Sequence, residues 1–367
     1  MSRRHRSSQP LAPARRTDSS RRRFLGDSAR LVAGASTLAL SSCFPEVGGR
    51  WPGVLARCSD ETTPPPLAVP GTVVEVIDPL SVIGESRPEI QAEVVAQMLE
   101  QALGSLAGGV VEPWRTLLPE VTASTRLGLK VNCLNQQCST SVELVRALVD
   151  SLKAGLGLDG EQIVVWDRRL DELTRSGFTE EAVGARVLGT VNSTSDPGGP
   201  GFEDDFCHVV NGKTTRLTRL LTRETDVGIN VPVLKTHGVS GVTAALKNVY
   251  GVIDNPGDFH KDLVDALPKI YALAPVREYF KLSILDALIA VTVGGTSSPP
   301  DTVPGRVLAA RDPLALDRRA LALVNQLRQA KGVGLRDIDP RVTAWLDGAH
   351  ALGVGAREVS LLLVDRS

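Results

Sequence analysis

Short β-branched runs alternate with helix-period segments along this chain, and few folds accommodate that pattern. Arg126-Leu-Gly-Leu-Lys-Val-Asn132 reads as a strand, and Ile163-Val-Val-Trp-Asp167 as another that ends in a carboxylate. Between them, Ser139 or Thr140 caps a helix over Val142–Lys153, with Glu143 in its first turn. A strand, a helix and a second strand at this spacing imply a parallel pair joined by a right-handed crossover. Thr72–Ile77 is an earlier strand, and Arg87–Leu106 a helix with apolar residues at helical spacing. Further on, Leu282–Ala290 and Arg306–Ala310 read as strands, Pro313–Ala330 as a long helix, Trp345–Leu352 as a helix and Glu358–Val364 as a terminal strand. The expectation is an α/β fold with largely parallel sheets and flanking helices. It divides into two lobes, 71–225 and 226–367, with a cleft between them.

The chemistry concentrates in Asp226–Leu263. The run Val227–Leu234, broken by Gly228, Asn230 and Pro232, predicts a buried strand ending near Pro232. Lys235 and His237 follow at its C-terminal end, where open α/β sheets bind ligands. Val242–Tyr250 has no breaker and predicts a short helix carrying Lys247 and Asn248, ended by Gly251. Pro256-Gly257 makes a turn that folds His260 toward the same place. Lys235, His237 and Lys247 are the candidate catalytic residues. Lys130, Asn132, Gly241 and Asn248 are candidates for holding a cofactor, Gly241 through backbone amides. His237 and His260 are the candidate metal ligands.

The string Asn230-Val-Pro-Val-Leu-Lys-Thr-His-Gly-Val-Ser-Gly-Val-Thr-Ala-Ala-Leu-Lys-Asn-Val-Tyr-Gly251 resembles the core signature of the domain-of-unknown-function 362 family. Lys130-Val-Asn132 with Ser139–Val149, Leu282–Ala287 and Ala309–Asp317 resemble its flanking parts, so the likeness covers roughly Val73–Asp365. It implies a fold more than a reaction. Some members carry ferredoxin-type cysteine clusters, and this chain has no such run. The order His237, Lys247, His260 is also similar to that of nickel-pincer lactate racemases. In those a lysine anchors the cofactor and a histidine ligates nickel, which implies a related scaffold and a transition metal or metal–organic cofactor.

The N-terminus reads as a targeting segment. Ser20-Arg21-Arg22-Arg23-Phe24-Leu25 matches the twin-arginine export pattern, a weakly apolar stretch runs from Ala29 to Leu40, and Leu40-Ser-Ser-Cys43 resembles a lipoprotein cleavage box. Residues 1–43 are thus expected to be a signal, and 44–70 a Pro-rich tether. The expected partners are the twin-arginine export machinery, the membrane through lipid on Cys43, and a small-molecule ligand. The expected location is the periplasm or the outer face of the cell membrane.

Charge narrows the function classes. The whole-chain charge of −1 hides a basic leader, with nine Arg against two acids in residues 1–42, and an acidic remainder. An acidic body argues against nucleic acid. There is no P-loop and no nucleophile elbow. Cys133 and Cys138, with four residues between them, are compatible with a disulfide, a metal pair completed by Cys207-His208, or inert thiols. The acidic run Glu203-Asp-Asp205 suits a solvated loop better than a metal site. Two functions remain: a metal- or cofactor-dependent enzyme with redox or proton-transfer chemistry on a small acid, or an envelope lipoprotein that binds a metal or ligand without turnover.

Overall fold

The computed structural model describes residues 70–84 and 88–367. The export signal, Cys43, the tether and Arg87 lie outside the described residues. Ten strands make one sheet. In chain order they are β1 (Gly71–Ile77), β2 (Leu127–Lys130), β3 (Ile163–Arg169), β4 (Arg186–Val191), β5 (Val227–Asn230), β6 (Val233–His237), β7 (Gly241–Thr243), β8 (Phe280–Val291), β9 (Arg306–Ala310) and β10 (Val359–Asp365). The order across the sheet is β10-β1-β9-β8-β5-β2-β3-β4, with β6 pairing β8 and β7. Parallel pairings outnumber antiparallel ones, as expected.

Helices cover both faces, which is why the strands read as near-continuous apolar runs. The main ones are α1 (Ala92–Leu106), α2 (Val142–Leu156), α3 (Ala245–Asn248), α4 (Leu263–Ala272), α5 (Pro313–Ala330) and α6 (Pro340–Ala351). Along β3, Ile163 and Val165 pack with residues of α1 and α2, while Val164 and Trp166 pack with residues of α4, α5 and α6. The crossover β2–α2–β3 forms as the pattern requires. Gly157, at φ 71°, caps α2 one turn beyond the expected end. Gly128 and Gly228 stand opposite each other on β2 and β5. The missing Cβ atoms leave room for the Tyr279 ring, whose hydroxyl hydrogen-bonds Thr225 Oγ1 at 2.7 Å.

One expectation is corrected and another is extended. The boundary at 225/226 does not separate two lobes, because β5 pairs with β2 from the first half and β8 from the second. Strand insertion puts all the described residues into one unit. The strand expected to end near Pro232 does so, β5 stopping at Asn230, but the extended run goes on. Pro232 breaks it into β5 and β6, so Lys235 and His237 lie on a strand, and β6 turns back through a hairpin to β7.

Cys133 and Cys138 are free, buried thiols. Glu203, Asp204 and Asp205 pair with Arg219 and Arg223, so that run is spent on ion pairs. Among the described residues no helix is long and apolar enough to cross a membrane.

Candidate functional site

The C-terminal ends of β2 and β3 bring together Lys130 and Asp167, both buried. The Lys130 ammonium donates to Asp167 Oδ1 and to the Val131 carbonyl, each at 2.7 Å. Asp167 also accepts the backbone N–H groups of Cys133 and Arg168, both at 2.7 Å. A carboxylate held this way is committed to structure. It neutralises Lys130 and fixes the loop that carries Asn132.

Three asparagines then wire the strand ends to α3. Asn248 Nδ2 donates to Asn230 Oδ1 at 2.8 Å and to the Lys130 carbonyl at 3.2 Å. Its Oδ1 accepts from Asn132 Nδ2 at 3.0 Å. Asn132 Oδ1 in turn accepts from Lys235 Nζ at 2.9 Å. Lys235 is 1% exposed and has no carboxylate partner among the described residues, and burial lowers its pKa.

His237 ends β6. Its Nδ1 accepts the backbone N–H groups of Val239 and Ser240, both at 3.1 Å. Those donors fix the neutral tautomer, so the proton rides on Nε2. Burial first, then Lys247, His260 and Arg336, hold the ring neutral by lowering its pKa to about 4. Lys247, on α3, has no hydrogen bond or ion pair among the described residues, and its ammonium lies 4.0 Å from the centroid of the Tyr250 ring. Burial lowers its pKa to about 8. His260 meets the same Tyr250 ring at a centroid distance of 5.9 Å and is itself exposed.

These groups line one cavity of about 270 Å³, the size for a small ligand. Lys130, Asn132, Lys235, His237, Lys247, Asn248 and His260, all expected from sequence, converge on it. Gly241 does not. Its φ is +76°, and a Cβ there would fall 2.6 Å from Val342 Cγ1. It is a hairpin glycine packed against α6, so its amide serves the turn, not a ligand.

The metal reading of His237 and His260 also fails on donor chemistry. His237 presents an N–H to the cavity, not a lone pair, and its charged neighbours are cationic. Among the described residues no group of three or more His, Cys, Asp and Glu could hold a metal ion.

Sequence reasoning missed the hydroxyls of Thr243 and Tyr250, which line the cavity without a hydrogen-bond partner, and the lining residues Arg168 and Glu172. Alternation along β7 and the aromatic three residues after Lys247 were the available signals. It had noticed Asp167 at a strand end without pairing it to Lys130. The remaining motif carboxylates support the site from behind. Asp317 accepts the first N–H groups of α3, from Ala245 at 2.6 Å and Leu246 at 3.1 Å, and so fixes the helix that carries Lys247. Asp286 accepts the N–H and the hydroxyl of Ser141, anchoring the start of α2.

A crystal structure of a Thermotoga maritima protein is 13% identical at a TM-score of 0.39, over 65% of this chain and 59% of that one, too distant to carry argument. The chain therefore spans less than two thirds of that protein's length. No curated protein matches the chain. The model of the family described as domain of unknown function (DUF362) matches residues 128–322, from β2 into α5, a span that holds every cavity-lining residue named above. The chain belongs to the DUF362 family.

Proposed function

We propose that the cavity binds a small anion, a carboxylic acid first of all, and moves a proton on it with Lys247 as the base. The observation that carries this reading is the pair of lysines, Lys235 and Lys247, lining a buried cavity with no carboxylate partner. The two carboxylates among the described lining residues are already paired, Asp167 with Lys130 and Glu172 with Arg169. Around the lysines the polar groups are mostly donors: His237 Nε2–H and the hydroxyls of Thr243 and Tyr250. A donor-lined cavity favours an acceptor-rich ligand, and the buried lysines strengthen each contact to it.

The division of labour follows from the protonation states. Lys235, held by Asn132, is the fixed donor and is suited to a carboxylate. Lys247, lowered to about 8, releases its proton near neutral pH and becomes a usable base. His237 acts as a neutral hydrogen-bond donor to charge that develops on the ligand, in place of the metal-binding role expected from sequence. The paired arginines Arg21-Arg22 and the Leu40–Cys43 box support export by the twin-arginine route and a lipid anchor outside the cytoplasmic membrane.

The test is exchange. The protein is incubated in D₂O with a panel of small 2-hydroxy, 2-amino and simple carboxylic acids, and loss of the Cα–H signal is followed by NMR. Exchange that disappears in Lys247→Met and rises with pH through about 8 is the expected result. Binding without exchange for every acid would leave a carrier protein in place of an enzyme. Neither binding nor exchange would overturn the reading.

A further inference from the structure

The outer strand β10 ends the sheet with nothing beside it among the described residues. It carries Leu361, Leu362 and Leu363, exposed at 40%, 45% and 55%. Edge strands in soluble proteins are usually blunted by charge, proline or a bulge, and this one has none along its length before the closing Asp365. Independently of what the cavity binds, we infer that β10 pairs antiparallel with β10 of a second copy, about a two-fold axis through Leu362.

The register follows from hydrogen bonding already present. Glu358 O accepts from Gly71 N at 2.9 Å, and Arg366 N donates to Ile77 O at 2.9 Å, so residues 358 and 366 direct their backbone toward β1. By strand alternation 360, 362 and 364 do the same, and Val359, Leu361, Leu363 and Asp365 direct theirs outward. Centring the axis on Leu362 sets Val359 against Asp365 and Leu361 against Leu363, so every outward residue meets an outward residue. The whole strand is used. Leu362 meets itself at a close, non-hydrogen-bonded position on the axis.

Charge agrees with the same register. It sets Glu358 of one copy against Arg366 of the other, twice by symmetry. Glu358 makes no ion pair or hydrogen bond through its side chain among the described residues. Arg366 is held at the strand end by Asp78 at 3.0 Å and Gln97 at 2.5 Å, and it brings the opposite charge to this register. A closed two-fold contact of this kind removes both open edges at once.

The test uses the full chain. Sedimentation should give the mass of two chains, and Leu362→Lys, which sets two ammonium groups face to face, should weaken association about tenfold or more. Register is read by mild oxidation, with the unsubstituted chain as background. Leu362→Cys should cross-link into dimers. Leu361→Cys, whose neighbour across the axis is Leu363, should cross-link far less. Circular dichroism confirms that each variant is folded. Equal cross-linking by both variants, or none by Leu362→Cys, overturns the proposal. So does a monomer, whether its β10 amides exchange freely or are protected by residues 44–69 of the same chain.

Discussion

Replacing Lys247 by methionine should make the protein more stable while abolishing its ligand chemistry. Burial lowers the Lys247 pKa from 10.5 to about 8. At ~1.4 kcal/mol per unit, the fold carries a penalty of up to ~3 kcal/mol for keeping this side chain charged. Residual solvent at a side chain that is not fully buried, and loss of the ~0.5–1 kcal/mol contact with Tyr250, reduce the net gain from the substitution to ~1–2 kcal/mol at pH 7. The pH dependence has a definite sign. Below about 8 both folded and unfolded states hold the proton, and the full penalty stands. Between about 8 and 10.5 the unfolded state binds more protons, so stability rises with pH. Above 10.5 the penalty is gone. Urea unfolding of the wild type and of Lys247→Met, each at pH 7 and at roughly pH 9.5, measures this. The Lys247 contribution makes the wild type more stable as pH rises, whereas the variant lacks it. The stability gap between the two should therefore narrow sharply at the higher pH. A variant less stable than wild type at pH 7, or a gap that ignores pH, would refute the claim that burial lowers the Lys247 pKa.

Two further outcomes are expected. Asp167→Ala strands Lys130 as a buried charge and should cost ~3–5 kcal/mol in urea unfolding, while the double variant Lys130→Met with Asp167→Ala should recover most of it. Lysine at both Arg21 and Arg22 should hold the precursor in the cytoplasm, and Cys43→Ala should shift the protein out of the membrane fraction, both read by cell fractionation.

The placement of Lys235, His237 and Lys247 at one sheet edge was legible because it depends on neighbours in the chain. A β-branched run, a turn and a short helix within Val227–Tyr250 are local patterns, and strand ends collect ligands whatever the strand order. The same holds for the crossover through α2 and for the helix α5, whose boundaries Pro313–Ala330 match the periodicity. Pro232, which lacks an N–H, ends β5 as expected without ending the extended run. β6 resumes at Val233 along the same partner, β8, with its register shifted, and takes β7 as a new one.

Local pattern thus wrote the inventory of elements and marked the stretch that carries the chemistry. Long-range packing assigned each polar group its task. Lys130 meets Asp167 across 37 residues, Lys235 meets Asn132 across 103, and Asn248 meets Lys130 across 118. Spacing along the chain cannot encode such pairs, because they exist only once β5 has entered between β2 and β8. The same packing turned Gly241 from a ligand contact into a hairpin residue. His237 is the local exception, its Nδ1 occupied by the backbone N–H groups of Val239 and Ser240 in the β6–β7 hairpin. Periodicity is written by neighbours a few residues apart. Burial, which lowers the pKa of Lys247, and strand neighbours are set by the packing of distant segments.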